Sequence, residues 1–385
     1  MSLHRSTAWP LTWACVALIT YATLHPLSGW TWPHPEAFSW QLPRPRWEIT
    51  ADLVGNLLGY IPLGAMACLA LLRSGWRTGS APVAAVLACS ALSYALELAQ
   101  FTLPGRVPSV SDWVLNTLGA AWGVLAAVTA QALGLVDWWQ RWRERWFIPQ
   151  AGFGLALLWL WPLGLLFPPP LPLAQGQVGP VVQWWLIDWT VNTPLQTWFL
   201  PDDDVLGAFI RAEWPEFAAS QVAADRQTAW QPVRDSLIVA LGLLAPMCVA
   251  CAVARPLRLR LGLLAGAVAL AGLGSTVSAA MNYGPEHAFT WVNLPALVGL
   301  LLGALLGGLL LARTRTTAAV IGLGVLLALV VLVHQVPTDP YQMAALQAWE
   351  QGRFVRFHGL SRWFGLLWPY AAMVWLFGRL WGRGP

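Results

Sequence analysis

Two stretches of the sequence, DLVGNLLG at positions 52–59 and DWVLNTLG at positions 112–119, share the pattern D-x-V-x-N-x-L-G. Each stretch opens a long apolar run, so that an Asp and an Asn stand four residues apart at the start of two hydrophobic segments. Residues at positions i and i+4 lie on the same face of a helix. The shared pattern therefore predicts two apolar helices that each carry a polar pair near one end.

The composition is that of a membrane protein. The chain has 385 residues, of which 57% are hydrophobic and 10% are charged, and its mean hydropathy is +0.56. Average globular chains carry about 25% charged residues. Tryptophan, which favours membrane–water interfaces, occurs 27 times. These values predict an all-α fold, a polytopic transmembrane helical bundle, because backbone groups inside a bilayer must be hydrogen-bonded internally.

The basic residues do not form a nucleic-acid site. The formal net charge is +4, but the basic residues are all Arg and are distributed over short loops, so no nucleic-acid partner is expected. The five cysteines lie in apolar runs, and the pair Cys248 and Cys251 has no second Cys or His pair nearby to complete a zinc site. We therefore expect no metal and no cofactor.

Apolar runs of about 20 residues, the length that crosses a bilayer, divide the chain into about ten predicted spans. They fall at 9–26, 53–72, 82–101, 113–134, 151–168, 237–254, 261–281, 293–312, 317–336 and 363–379. The domain organisation follows from them. We expect a four-span domain at 1–136, a cytoplasmic Arg/Trp-rich linker at 137–150, a second membrane region at 151–336 with an outer loop at 169–236, and an outer segment with the last span at 337–385.

The loops alternate in charge along the chain. Arg clusters such as those at 141–145 and 255–260 fall on one side, and most acidic residues fall on the other. Basic residues in short loops mark the cytoplasmic side of a membrane. The sequence therefore predicts a multi-pass protein with both termini in the cytoplasm. The Pro- and Trp-rich segment 27–51 is then an outer loop that lies on the membrane.

Polar side chains converge at the outer ends of the second, third and fourth spans. Glu97 and Gln100 lie near the end of the third span, which runs antiparallel to its neighbours, and Arg106 follows in the loop TLPGRVPSVS. Ionisable groups in membrane spans are costly, usually face the bundle interior and mark functional sites. The expected ligand-binding residues are Asp52, Asn56, Glu97, Gln100, Arg106, Asp112 and Asn116.

These residues can also be explained by structural roles alone, without a ligand. An Asp at a helix start is a favourable N-cap, and an Asn one turn later can hydrogen-bond a neighbouring helix. Glu97 is different, because the helix dipole disfavours a carboxylate near a helix C-terminus. It needs a partner or a proton, and we expect Arg106 to pair with Glu97 or Asp112. Glu97 is therefore the best candidate for any catalytic role.

These motifs resemble the VanZ-like family, which is named after a teicoplanin-resistance protein. The matching elements are DLVGNLLGYIPLG at 52–64, ELAQ at 97–100 and LPGRVPSVSDWVLNTLG at 103–119, and the resemblance covers residues 10–134. It implies a protein of the bacterial cytoplasmic (inner) membrane that acts at the cell envelope, and an effect on glycopeptide susceptibility for some members. It does not imply a particular reaction.

Spans five to eight raise the hypothesis of a degenerate parallel repeat of the first four. RDSLIVALGLLAPMC at 234–248 echoes DLVGNLLGYIPLGAMAC at 52–68, and FTWVNLPALVGLLLG at 289–303 echoes SDWVLNTLGAAWG at 111–123. Repeats related by an axis along the membrane normal are a known architecture. The second copy has no counterparts of Asn56, Glu97, Gln100 and Arg106, so its expected role is packing.

The segment RFVRFHGLSRWF at 353–364 alternates basic and aromatic residues. Guanidinium groups bind phosphate in bidentate geometry, which predicts contact with lipid phosphate or a lipid-linked glycan. The alternative is an interfacial amphipathic helix whose Arg side chains reach the headgroup layer. The residues concerned are Arg353, Arg356, His358 and Arg362.

Three classes of function follow from these observations. The one that we favour is a protein that is not an enzyme and that binds a membrane lipid, a lipid-linked envelope precursor or a glycopeptide-related ligand at an outward-facing polar site. The second is a membrane-embedded acid/base enzyme that acts on a lipid-linked substrate, with Glu97 as acid or base. The third is a secondary transporter, although the inner halves of the spans offer almost no polar groups.

Overall fold

The structure is a computed structural model that describes residues 8–25, 29–32, 38–44, 50–104, 106–149, 151–167, 169–195, 198, 230–336 and 355–381; the side chains of residues 50–52, 184 and 355–358 lie outside this description. Within these ranges the regular structure consists of α-helices, one short 3-10 helix (Pro285–His287) and an isolated bridge between Phe147 and Ala254. The predicted all-α fold class is confirmed.

Each predicted span coincides with a helix, and two further helices, α5 and α7, lie outside the predicted spans. The helices are α1 (Ala8–Leu24), α2 (Thr50–Arg73), α3 (Ser80–Gln100), α4 (Val110–Ala132), α5 (Leu135–Trp146), α6 (Gly152–Gly164), α7 (Gly179–Trp189), α8 (Gln231–Val253), α9 (Leu257–Tyr283), α10 (Leu294–Leu310), α11 (Arg315–Val333) and α12 (Val355–Trp381).

The described part of the chain contains six helices that are long and apolar enough to cross a membrane: α2, α3, α4, α8, α9 and α11. Three apolar helices, α1, α6 and α10, are shorter. The chain is a multi-pass membrane protein, and the number of ten spans stays a prediction. Its residues form two compact units, Met1–Arg143 and Glu144–Pro385.

Glycines bring α2 and α4 into backbone contact in the first unit. A Cβ atom added to Gly119 would lie 2.1 Å from the carbonyl oxygen of Leu57, and one added to Gly123 would lie 2.0 Å from that of Ile61. Small residues at four-residue spacing allow membrane helices to approach this closely. The contacts also fix the register, because Leu57 lies opposite Gly119 and Ile61 lies opposite Gly123.

The second unit is built around α8. In an apolar stretch of 18 residues of this helix 83% of the residues are buried, whereas the corresponding share in α2 is 33%. Helix α10 packs on it through Gly299 and Gly303, which face the carbonyl oxygens of Ser236 and Ala240. All five cysteines of the chain are free, and Cys248 and Cys251 are fully buried in α8. These two cysteines therefore contribute to the apolar core of the unit.

The fifth predicted span, 151–168, is longer than the helix that forms there. Helix α6 ends at Gly164, and the sequence FPPP follows at 167–170. A residue that precedes a proline is disfavoured in helical conformation, so this run prevents the helix from continuing. The chain then passes through buried, non-helical residues 173–176 before α7 begins at Gly179. The predicted outer region 169–236 is described only at 169–195, at 198 and from 230 onward.

Candidate functional site

The site predicted from the sequence lies at one end of the first unit. Glu97 and Gln100 occupy the last turn of α3, and Asp112 and Asn116 occupy the first two turns of α4. The described connecting residues, 101–104 and 106–109, are not helical and lie between these two helices. Since Leu57 lies opposite Gly119, Asn56 lies within about one helical turn of the level of Asn116. We call this the polar end of the first unit.

Glu97 holds the connection between α3 and α4. Glu97 is only 2% exposed, and its Oε2 atom accepts a 2.8 Å hydrogen bond from the backbone N–H of Ser109. The Ser109 hydroxyl oxygen accepts in turn from the N–H groups of Ser111 and Asp112, at 3.1 and 3.4 Å. Ser109 is thus the N-cap of α4, and the Glu97 carboxylate fixes the residue that caps the helix.

Asn116 joins α4 to α3. Its Nδ2 atom donates a 2.9 Å hydrogen bond to the Ser93 hydroxyl, and both residues are buried. Tyr60 of α2, which is 3% exposed, has its side chain near the same serine. The Oδ1 atom of Asn116 is buried and has no hydrogen-bond partner among the described residues. We call Asn56, Tyr60, Ser93, Glu97, Ser109 and Asn116 the polar cluster.

Three of these residues, Tyr60, Ser93 and Ser109, were not among the predicted site residues, although the sequence carries a signal for the first two. Tyr60 follows Asn56 by four positions on α2, and Ser93 precedes Glu97 by four positions on α3. Residues at this spacing share a helix face. A search for polar residues one turn from each candidate would therefore have found Tyr60 and Ser93.

Arg106 and Gln100 interact with the end of α1. The Nη2 atom of Arg106 donates a 2.6 Å hydrogen bond to the carbonyl oxygen of His25, and Nε2 of Gln100 donates a 3.4 Å bond to that of Thr23. The last carbonyl groups of a helix lack partners within the helix and attract cations. The expected ion pair between Arg106 and Glu97 is not formed, although both side chains lie in the described part of the chain.

The remaining candidates of the first unit occupy the predicted helix ends. Asp112 is half-buried in the first turn of α4. Asn56 is half-buried, and its side chain makes no hydrogen bond to the described residues. Asp52 lies in the first turn of α2, and its side chain is outside the described part of the structure.

The segment that precedes α2 lies against the polar end. The N–H of Thr31 donates to the carbonyl oxygen of Thr102 at 2.9 Å, and the N–H of Val110 donates to that of Pro43 at 3.0 Å. The Tyr94 hydroxyl donates to the carbonyl oxygen of Trp40. The described parts of the predicted outer loop 27–51 are therefore tied by hydrogen bonds to α3, to α4 and to the loop between them.

The Arg-rich segment of the second unit is described only in part. Arg353 lies outside the described residues, and so do the side chains of Arg356 and His358 in the first turn of α12. Arg362 is described, is half-buried and lines a cleft beside the end of α6. Among the residues that the structure describes, no group of three or more His, Cys, Asp or Glu side chains could hold a metal ion.

Comparison with known proteins supports the sequence resemblance. The family model described as VanZ/LLP1 matches residues 10–137, a stretch that contains α1–α4 and the whole polar cluster. The resemblance of this stretch to the VanZ-like family is thereby confirmed. The match ends before the second unit begins. No curated protein and no solved structure matches the chain.

Proposed function

We propose that the protein acts at the bacterial cell envelope by binding the polar part of a lipid-linked or glycopeptide-related ligand at the polar end of its first unit. The support comes from three sources: the family match over residues 10–137, the membrane-spanning helices and the chemistry of the polar cluster. In this proposal the cluster is a binding site without a reaction of its own.

The observation that carries the proposal is the Oδ1 atom of Asn116. It is buried and lacks a hydrogen-bond partner among the described residues. An unsatisfied buried acceptor costs about 1–3 kcal/mol. Turning the amide over would only exchange which end of the side chain lacks a partner. A ligand hydroxyl or amide group that donates to this atom would remove that cost.

Two neighbours of Asn116 can extend the site. Asn56 has an amide that makes no hydrogen bond to the described residues, and it lies near the level of Asn116 on the adjacent helix. Arg106 uses Nη2 on the His25 carbonyl, and a guanidinium carries five N–H donors in all. Its remaining donors suit a phosphate or carboxylate on the ligand.

The proposed orientation puts the polar end on the outer side of the cytoplasmic membrane. The loop between α2 and α3 contains Arg77, and the region after α4 contains Arg141, Arg143 and Arg145, so these loops are assigned to the cytoplasm. The loop between α2 and α3 and the first residues after α4 follow the ends of α2 and α4 that are opposite to the polar end. The polar end then faces the compartment in which lipid-linked envelope precursors are used.

The alternative of an acid/base enzyme has less support, because the Glu97 carboxylate is engaged with the Ser109 N–H that caps α4. The ligand-binding proposal can be tested by native mass spectrometry of the full-length protein released from detergent. We would compare the wild type with Arg106→Ala and Asn116→Ala. Arg77→Ala serves as the matched control, because Arg77 is exposed and lies at the opposite end of the bundle.

We expect a discrete bound mass, such as a polyprenyl phosphate, on the wild type and on the Arg77→Ala control. The mass should be lost or strongly reduced in the Arg106→Ala and Asn116→Ala variants. Retention of the same mass on both site variants, or its absence from the wild type, would contradict the proposal. Circular dichroism of each variant shows whether a loss of ligand reflects a loss of the fold.

A further inference from the structure

Residues 171–178 of the second unit form a non-helical segment between α6 and α7, and the central part of this segment is buried. Leu173, Ala174, Gln175 and Gly176 are all buried, and Leu173 has a positive φ of 63°. At membrane depth, non-helical backbone is tolerated only where protein buries it or where it lines a cavity. In transporters and channels such segments mark binding sites. The space beside this segment is therefore a candidate binding site.

Side-chain and backbone hydrogen bonds fix this segment between three helices. Nε2 of Gln175 donates to the carbonyl oxygen of Trp161 in α6 at 3.2 Å, and Nε2 of Gln177 donates to that of Val336 after α11 at 3.2 Å. The N–H of Gly176 donates to the carbonyl oxygen of Gly365 in α12 at 2.9 Å. The segment is thus rigidly held, and its two glutamine amide N–H groups are used for that purpose.

A cleft opens beside this rigid segment. Its walls are mostly apolar and come from the end of α6, the start of α7, the first half of α12 and the segment itself. Among the described residues that line it, Arg362 is the charged one. The lining residues used in this argument are Phe167, Pro169, Pro170, Val181, Arg362 and Leu366.

Two features indicate that the cleft lies at the depth of the lipid headgroups. Phe167 lies just after the end of α6, and Arg362 lies about two turns inside α12, within the distance over which a long basic side chain can reach toward the interface. Helix α7, which contributes Val181 to the cleft, also carries Trp185 and Trp189, stacked at 5.5 Å and exposed by 64% and 75%. Exposed tryptophans are concentrated at the headgroup level of membrane proteins.

We propose that this cleft binds an anionic phospholipid, with the Arg362 guanidinium on the phosphate and one acyl chain along the apolar wall. Charge complementarity selects the ligand: a guanidinium is suited to phosphate oxygens, while the proline- and phenylalanine-lined wall suits a hydrocarbon chain. The site belongs to the second unit. It is independent of the polar cluster and of the function proposed for that cluster.

The test uses the full-length protein in detergent and phosphatidylglycerol as the probe. Native mass spectrometry would give the apparent affinity for phosphatidylglycerol and for zwitterionic phosphatidylcholine in the wild type and in the Arg362→Gln variant. Arg313→Gln is the matched control, because Arg313 is an exposed arginine of the same unit that does not line the cleft. A Val181→Trp variant keeps the charge and fills part of the cleft.

We expect Arg362→Gln to weaken phosphatidylglycerol binding by about fivefold, the effect of one basic residue near the headgroups, and to leave phosphatidylcholine binding unchanged. Val181→Trp should weaken phosphatidylglycerol binding as well, so the proposal stays testable if Arg362→Gln does not fold. Arg313→Gln should bind like the wild type. Equal losses for Arg362→Gln and Arg313→Gln, or no loss in Arg362→Gln and Val181→Trp, would overturn the site. So would displacement of the lipid by excess inorganic phosphate, since free phosphate would then be the ligand.

Discussion

Glu97 is a carboxylate at the end of a helix where the dipole disfavours it, and its partner is a backbone N–H group. The bond from Ser109 places the residue that caps α4, so the carboxylate links the end of one membrane helix to the start of the next. This arrangement accounts for a buried acid in the polar cluster without requiring a reaction.

The role of Glu97 predicts a difference between two substitutions. Glu97→Ala removes the acceptor and leaves the buried Ser109 N–H unsatisfied, which should cost about 1–3 kcal/mol. Glu97→Gln keeps a carbonyl oxygen that can accept the same bond, so it should lose clearly less stability. The measurement is the thermal unfolding midpoint of the purified protein in detergent.

Glu144 provides the control for this experiment, because it is an exposed acid on α5. Glu144→Ala should leave the midpoint unchanged. If Glu97→Gln and Glu97→Ala lowered the midpoint equally, the hydrogen bond to Ser109 would not be the reason for the buried carboxylate.

At the level of single residues, the sequence indicates which side chains are polar and buried but not where they bond. The i, i+4 spacing carries information on Ser93 and Tyr60, since they lie one turn from Glu97 and Asn56. The acceptor of Arg106 is the carbonyl oxygen of His25, 81 positions away. Every residue has a backbone carbonyl group, so the pattern of side chains cannot indicate which carbonyl accepts a hydrogen bond. The sequence therefore suggested an acidic side chain as the partner of Arg106.

At the level of helices, apolar runs predict positions well and ends less well. Helix α12 begins at Val355, although its apolar run begins at 363, because its first turns carry Arg and His between aromatic residues. Helix α4 begins at Val110, three residues before the predicted span, because Ser109 caps it. Hydropathy measures what a helix buries in lipid, whereas caps and prolines decide where it starts and stops.

The pairing of α2 with α4 depends on glycines whose positions leave no room for a side chain. Gly123→Ala would place a Cβ atom 2.0 Å from the carbonyl oxygen of Ile61. The two helices would have to separate, at a cost of about 1–3 kcal/mol by the usual scale of overpacking. We therefore expect a lower unfolding midpoint in detergent for this variant.

Gly59 is the matched control for this prediction. It lies on α2, and a Cβ atom added there would meet nothing within 4 Å. Gly59→Ala should be neutral or slightly stabilising, since Ala is a better helix former than Gly by up to about 1 kcal/mol. Equal destabilisation by the two substitutions would show that helix propensity, and not the contact between α2 and α4, controls stability here.

At the level of the whole molecule, the two units share a pattern of helix contacts. In the first unit α2 packs against α1, α3 and α4. In the second unit α8 packs against α6, α9 and α10, and also against α11, which has no equivalent in the first unit. Both units use glycines four residues apart, Gly119 with Gly123 and Gly299 with Gly303. This correspondence agrees with the hypothesis of a parallel repeat, which stays a prediction.

The correspondence extends weakly to polar residues. Helix α9 carries Ser278 and Asn282 at four-residue spacing near its end, as α3 carries Ser93 and Glu97. Nδ2 of Asn282 donates to the carbonyl oxygen of Ser278 at 2.6 Å, and its Oδ1 atom is buried with no partner among the described residues. Helix α9 carries no acidic residue where α3 carries Glu97, so a related architecture need not imply the same ligand.

The orientation of the molecule in the membrane gives the last prediction. In a background with the five native cysteines replaced by Ala, we would introduce Trp76→Cys in the loop between α2 and α3, and separately Gln41→Cys beside the polar end. Both positions are exposed. The loop with Arg77 is assigned to the cytoplasm, so position 41 should lie on the outer side. A membrane-impermeant maleimide should therefore label position 41 in spheroplasts, whose cytoplasmic membrane is intact.

Position 76 should be labelled only after the membrane is permeabilised, so each variant serves as the control for the other. The reverse pattern would place the polar end in the cytoplasm, out of reach of envelope precursors on the outer surface. The two positions flank opposite ends of α3, and the Pro43 carbonyl bonded to the N–H of Val110 keeps the segment of position 41 at the polar end. Labelling of both positions from outside would mean that α3 does not cross the membrane at all.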